Sequence, residues 1–528
     1  MGRYLSILEV SQKQAYIFSS NKLRDNLARS AVIAEITSSE YFSRVIQDPG
    51  IYNRKENLVY AGGGHTVLVF SDLEKAREFN KIVTRTILEN FEGIEIFASV
   101  MEYRENDENG RRIGPSENLS QLKEQLERKK AVRRASFRQG TFGLAPLDSD
   151  TRDRVSDYGA IAIPDSEKAL EKKLMPKKFE TTYKLEELGG SKGDNNFIAV
   201  VHLDGNGMGN RINDYYESLK GEDWEEFRRH VREYSDTIDR DYKEAFRQMA
   251  QVVAERIESG KLKDLDLEEG HFPVRRIISS GDDMCFVSEG RIGIECSAVL
   301  IEKLNAMTNC LDHRPYSACA GVAIVHQKYP FYRAYELAEE LCSSAKKFGA
   351  NLDRQLNKEL SDNGASISSI DWHIEMGEIR DTLEETREDY NTLDGRHLEM
   401  RPYIVSCPEE ILKLEPYRQY SRYFHMMNSF LYTNKNEQYG QLKNLRGVLK
   451  QGQEAASYYM DFHKIKEITR DGIQADLSSK EIRAIGTGKA TDYEIFHTTA
   501  DGKSRALMFD AAESIGFFIK LREERAGS

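Results

Sequence analysis

Val274-Arg-Arg-Ile-Ile-Ser-Ser-Gly-Asp-Asp-Met-Cys-Phe-Val-Ser288 is the stretch on which the fold turns. It reads as two short apolar strands joined by a tight turn. Ile277 and Ile278 precede the turn, and Cys285, Phe286 and Val287 follow it. Gly281 supplies a backbone that can take φ > 0 or lie close to a ligand. Asp282 and Asp283 sit at the tip. Two adjacent carboxylates on a rigid hairpin repel each other unless a cation neutralises them. The stretch therefore reads as a divalent-metal site for nucleotide chemistry, or as an ordinary Asp-rich surface turn.

Two further stretches favour the first reading. Phe197-Ile-Ala-Val-Val-His-Leu-Asp204 is a buried-strand pattern that ends in a carboxylate. Gly205, Asn206, Gly207 and Gly209 follow, and such a turn leaves backbone amides to face phosphate. Mg²⁺ takes one or two protein carboxylates and completes its shell with phosphate oxygens and water. Asp204, Asp282 and Asp283 supply that many acids on neighbouring strands. Residues 338–351 read as the end of a helix carrying Lys346 and Lys347 and stopping near Gly349. A lysine there would neutralise a triphosphate.

Asp204-Gly-Asn-Gly-Met-Gly209, Ser280-Gly-Asp-Asp283 and Ala345-Lys-Lys with Gly349-Ala-Asn351 together resemble the palm domain of nucleotide cyclases and GGDEF diguanylate cyclases. Of these likenesses, the closer is to the large palm-containing subunit of type III CRISPR effector complexes and its standalone relatives. Ala318 to His326 with Lys328-Tyr-Pro-Phe-Tyr332 is similar to that family too, as are Gln14 to Arg24 and Tyr60-Ala-Gly-Gly-Gly-His65. The likeness spans most of residues 1–405. It implies synthesis of cyclic oligoadenylate from ATP with Mg²⁺ or Mn²⁺, in antiviral signalling. Asp204, Asp282 and Asp283 would be the catalytic and metal-holding acids. Gly205, Asn206, Gly207, Ser280, Gly281, Lys346 and Lys347 would meet the nucleotide. The family usually has glycine where this chain has Ser280, which adds a side chain beside the nucleotide and bears on base choice and turnover.

The chain has 528 residues, enough for about three or four domains. Charged residues make up 31% and the net charge is −12, which argues against a protein that coats nucleic acid broadly. No apolar run reaches the roughly 20 residues that span a bilayer. The N-terminus enters a strand directly and has no signal-peptide core, so a cytoplasmic setting is expected. Cys285, Cys296, Cys310, Cys319, Cys342 and Cys407 are scattered and read as reduced, mostly core residues. Many members of the resembled family carry a zinc ribbon. Its ligands are missing here, so no structural zinc is expected.

Taken in order, residues 4–103 read as strand, helix, hairpin, helix and strand, a ferredoxin-like palm. Its hairpin has glycines and His65 where the other has acids, so this first palm is expected to be catalytically silent. Lys129, Lys130, Arg133, Arg134 and Arg138 read as a solvated helix end or as a phosphate contact. Residues 141–192 look like a connector with small strands. Tyr234, Ile238, Tyr242, Phe246, Met249, Val253 and Ile257 recur at helical spacing and read as core. Residues 398–405 read as a closing strand. No Walker-type phosphate loop is present, and no His-Asp nuclease domain precedes the first palm, so DNA cleavage is not expected.

The expected fold is α+β, with two ferredoxin-like palms and a helical C-terminal domain. The expected boundaries are 1–130 for the first palm, 131–190 for the connector, 191–405 for the second palm and 406–528 for the helical part. The expected partner is a nucleoside triphosphate. RNA, CRISPR-like effector subunits and further copies of the chain stay open as macromolecular partners, and no membrane is expected. Two alternatives remain: a catalytically silent palm scaffold, and a cyclase whose product is a mono- or dinucleotide.

Overall fold

A computed structural model describes residues 2–106, 109–132, 162–189, 196–267, 270–356, 366–377, 382–428, 430–431, 439–465 and 495–522. The first sheet contains β1 (Tyr4–Ser11), β2 (Leu58–Gly62), β3 (His65–Phe70) and β4 (Glu95–Glu102). Its order is β2-β3-β1-β4, and every pairing is antiparallel. Strand β1 alternates between two cores. Leu5 and Ile7 enter one, and Leu8 and Val10 enter the other, as the two-residue period of a strand requires. Helix Leu73–Asn90 begins where the Asp72 side chain accepts from the Glu74 amide. It buries Ala76, Phe79, Val83 and Ile87, one apolar stripe at helical spacing.

The second sheet contains β5 (Phe197–Gly205), β6 (Val274–Ser280), β7 (Asp283–Glu289), β8 (Ala318–His326), β9 (Ser368–Ile374) and β10 (Tyr403–Ser406). Its order is β10-β9-β8-β5-β7-β6. The segment β6-β7-β5-β8 repeats the order β2-β3-β1-β4, so the chain holds two ferredoxin-like units. β9 adds to the edge of the second unit in parallel to β8. A parallel neighbour needs a crossover, which helix Phe331–Leu356 provides. Gly321 on β8 lets that helix come close. A Cβ there would stand 2.0 Å from the Ala338 carbonyl oxygen and 2.3 Å from the Cys342 amide nitrogen.

Each unit lays a helix on the other's hairpin. Helix Leu23–Ile36 packs on β6, and the long helix Trp224–Glu258 packs on β2. Arg232 of the long helix donates to the Leu58 and Val59 carbonyls. Its opposite side buries Tyr234, Ile238, Tyr242, Phe246, Met249 and Val253 in the core beneath β5 and β7.

Three expectations require correction. Residues 162–189 show helix Asp165–Leu174 and a 3₁₀ turn Leu185–Leu188 where small strands were expected. That helix is tied to β6, because buried Glu171 pairs with buried Arg275 and lies 3.2 Å from Arg276. Helix Phe331–Leu356 does not stop at Gly349. That glycine is buried against Ile367, and a Cβ on it would make ordinary contact there at 3.4 Å. Leu398 to Pro402 are not strand, although β10 follows. The amides of Met400 and Arg401 donate to buried Asp510 at 2.9 and 3.0 Å, so no ladder claims them.

Of the expected basic run, Arg133, Arg134 and Arg138 lie outside the described residues. Lys129 donates to the Ala98 carbonyl, and Lys130 pairs with Glu9 and Glu127, so both brace the first sheet. The described residues after β10 include helices Glu409–Leu414, Tyr420–Asn428, Tyr439–Leu449, Gln453–Phe462 and Leu507–Ser514, and a small hairpin of His497–Thr498 with Ser504–Arg505. Tyr420 donates to buried Glu295 at 2.6 Å, docking this part on helix Gly293–Asn305. Among the described residues no helix is long and apolar enough to cross a membrane.

Candidate active site

The ladder sets the site. β5 pairs with β7 so that Asp204 stands opposite Asp283, and with β8 so that Asp204 stands opposite Cys319. Ser280 and Asp283 close the β6–β7 hairpin around the two-residue turn Gly281-Asp282. Gly281 has φ 65. Glycine at the first central position with φ > 0 matches the twist of the strands.

Gly205 is dictated by crowding. A Cβ there would stand 2.3 Å from the Tyr242 hydroxyl, 2.7 Å from Met208 Cγ and 3.0 Å from Asp282 Cβ. Its amide donates to the Asp282 carbonyl at 3.2 Å. The Asn206 amide donates to the Ser317 carbonyl at 2.9 Å, and its buried side chain donates to the Ile367 carbonyl at 2.8 Å. These groups brace the strand ends, whereas the sequence suggested that they face phosphate. Gly207, at φ 61, opens helix Met208–Ser218, and Gly209 in its first turn has open space at its Cβ position. Of the amides that the sequence offered to an anion, those at this helix start are left.

Of the two candidate lysines, Lys346 reaches Asp204. Its Nζ lies 2.6 Å from Asp204 Oδ2 and 3.0 Å from the Gly205 carbonyl. Burial pulls the Lys346 pKa down, but Asp204 outweighs that and holds it raised. Lys347 is turned about 100° further round the helix and is exposed. Burial, then the charge of Asp204, pushes Asp282 up to about 6. Burial and Asp204 push Asp283 up to about 7, against the opposing pull of Lys13 and Lys346.

The first palm faces this hairpin with its own turn. A Cβ on Gly63 would lie 3.8 Å from Ser280 Oγ, so Ser280 sits between the two turns. Lys13 donates to the Gly63 carbonyl. Burial, then Lys123 and Lys13, pushes His65 down to about 3, so its imidazole stays neutral. Lys13 and His202 carry no assigned role in the sequence reading, and Tyr242 is read there only as core. A single polar residue in an apolar strand or helix carries no local signal of what it meets.

Among the described residues no three His, Cys, Asp or Glu side chains stand close enough together to hold a metal ion. The three acids are not gathered into one cage, and Lys346 serves as counter-ion to Asp204. Two carboxylates remain opposed on the ladder, and the Asp283 side chain still keeps an exposed part toward the cleft. That donor set suits a hard cation that draws its other ligands from phosphate and water.

The raised acids carry a pH prediction. Folded, both carboxyls hold protons above the ordinary aspartate value of 3.8, up to about 6 and 7. The folded form binds more protons in that window, so these groups weaken the fold as pH rises through it. Asp283→Asn is therefore expected to raise the melting temperature at pH 8 in metal-free buffer. The gain should vanish near pH 4, as circular dichroism melts across the range will check.

Residues 197–354 match the family model described as Cas10/Cmr2, second palm domain. The chain carries a Cas10/Cmr2 second palm domain. Its fold is similar to that of solved Csm1 structures. The Csm1–Csm4 cassette in complex with cA4 aligns at TM-score 0.51 and 13% identity, over 87% of this chain and 64% of that one. The cassette in complex with pppApApA aligns at TM-score 0.53 and 13% identity, over 97% and 69%. Csm1 of T. onnurineus aligns at TM-score 0.51 and 13% identity, over 97% and 70%. The chain thus spans about two thirds of the length of these structures, and identities this low speak for the fold alone. No curated protein matches it in sequence. The Cas10/Cmr2 palm covers β5 to β8 and most of the crossover helix, and so includes Asp204, Asp282, Asp283 and Lys346.

Proposed function

We propose that this chain makes cyclic oligoadenylate from ATP, as a nucleotidyltransferase of type III CRISPR antiviral defence. The observation that carries the reading is Asp204 set opposite Asp283 beside Lys346, at the hairpin turn of a Cas10/Cmr2 palm. The cA4 and pppApApA bound in the similar Csm1–Csm4 cassettes support the choice of adenylate.

In the reaction a ribose hydroxyl oxygen forms a bond to the α-phosphorus of a second ATP. The bond from that phosphorus to the pyrophosphate oxygen breaks, and pyrophosphate leaves. Bound Mg²⁺ or Mn²⁺ would supply Lewis acidity that eases loss of the hydroxyl proton and offsets triphosphate charge. Asp204 and Asp283 would hold the ion, with Asp282 on the turn beside them. Lys346, now paired with Asp204, would neutralise charge on the leaving pyrophosphate, where a fixed cation counts most. The helix start at Gly207 to Gly209 would receive phosphate oxygens. Ser280 would line the nucleotide between the two turns.

Incubating the pure chain with each NTP and Mg²⁺ or Mn²⁺, then identifying products by mass spectrometry, tests this reading. Cyclic oligoadenylate from ATP, with pyrophosphate released, is the expected result. A mono- or dinucleotide product would keep the chemistry and correct the product. A palm that serves only as a scaffold is the second reading, favoured by the fact that Lys346 already neutralises Asp204. It predicts no turnover of any NTP with either metal.

A further inference from the structure

His202 lies two residues before Asp204 on β5, so both side chains stand on one face of the sheet. Across the ladder it is opposite Cys285, one diagonal step from Asp283. Its Nδ1 is 3.6 Å from Asp283 Oδ1. Both atoms are buried, and neither has a hydrogen-bond partner. Two complementary groups left unmade at this separation call for an explanation, because buried polar atoms are nearly always satisfied. The Asp283 side chain is still 34% exposed, against 8% for His202. Oδ1 therefore faces inward to the imidazole, and the exposed part faces the cleft. On its far side His202 meets Tyr335 edge to face at 5.6 Å, and Tyr335 stacks on Phe18 of the first palm at 4.0 Å. The ring is wedged between Asp283 and an aromatic pair that spans the two palms.

We infer that His202 is the positioning residue of Asp283, donating from Nδ1 to Oδ1 so that the other carboxylate oxygen is presented to the cleft. The inference rests on the reading that this cleft takes a metal–nucleotide complex. With the cleft loaded, the 3.6 Å gap would close to a hydrogen bond. Hydrogen-bond gaps of this kind are often long before the ligand arrives.

The position of the donor makes the inference testable in the full-length chain. His202→Asn keeps an N–H donor where Nδ1 stood, and His202→Gln moves it to where Nε2 stood. His202→Leu removes it. The readout is the rise in melting temperature with Mn²⁺ and a non-hydrolysable ATP analogue, titrated against Mn²⁺, with the metal-free melt as the control for folding. His202→Leu and His202→Gln are expected to raise the half-saturating Mn²⁺ concentration about 10–100-fold, the usual effect of removing a partner that orients a metal ligand. His202→Asn should stay close to wild type. Equal weakening in Asn and Gln, or wild-type behaviour in Gln, would overturn the inference even if the leucine variant failed to fold. Wild type showing no Mn²⁺-dependent rise would overturn the proposed function and this inference together.

Discussion

Replacing Asp282 and Asp283 together by asparagine is expected to abolish the rise in melting temperature with Mg²⁺ or Mn²⁺ plus ATP. Turnover of ATP should fall by roughly 10³-fold or more, the scale on which loss of a preorganised electrostatic group is felt. The two carboxyls occupy a part-buried turn where each is pushed upward by burial and by Asp204. A divalent ion bound there relieves that repulsion, so binding couples to stability by mass action. Asparagine keeps the shape and removes the charge, so the ligand-free fold should persist. Differential scanning fluorimetry with and without metal and ATP, beside a pyrophosphate-release assay, checks both parts. A ligand-induced shift of wild-type size in the double variant would refute the assignment of these acids.

Gly321→Ala is expected to have the largest effect on stability, about 3 kcal/mol or more, at the upper end of what overpacking a core brings. The new Cβ would meet the Ala338 carbonyl at 2.0 Å and the Cys342 amide at 2.3 Å. Both are backbone atoms of helix Phe331–Leu356, so no side chain can swing aside. The helix has to lift from β8, and Lys346 rides on it. The 2.6 Å pair between Lys346 and Asp204 should loosen with it, and activity should fall beside stability. Urea denaturation measures the first effect, and the KM for ATP the second. Gly447→Ala is the control. It lies exposed in helix Tyr439–Leu449 with nothing within 4 Å of its Cβ position. It should gain roughly 0.5–1 kcal/mol through helix propensity. A Gly321→Ala protein as stable as wild type would mean that the helix and β8 are not in close contact.

Strand and turn chemistry was legible because it is local. The apolar run Phe197 to Leu203 and the Ser280-Gly-Asp-Asp283 turn follow from a two-residue period and from a glycine able to take φ > 0. Those signals lead to α+β palms and to Asp204 and Asp283 at facing strand ends. The sequence could not choose between Lys346 and Lys347. The rotation of their helix on β8 decides it, and that rotation depends on Gly321 and on the crossover to β9. Nor could it separate the roles of glycines. Gly349 obeys the local rule for a helix stop, yet it lies inside the helix, buried against Ile367. Gly205 sits in a phosphate-type turn, yet the Tyr242 hydroxyl from the long helix of the same palm explains it.

Local backbone rules depend on neighbours in the chain and can be read from them. Lys13 reaching the Gly63 turn, His202 facing Asp283 and the raised acids all depend on groups far away in sequence. Burial and charge coupling exist only once two sheets and their shared helices have closed over the same volume. The sequence alone therefore determined the palm strands and the acids at their ends. Packing decided which cation meets Asp204, which amides are already bonded, and which histidine stands behind Asp283.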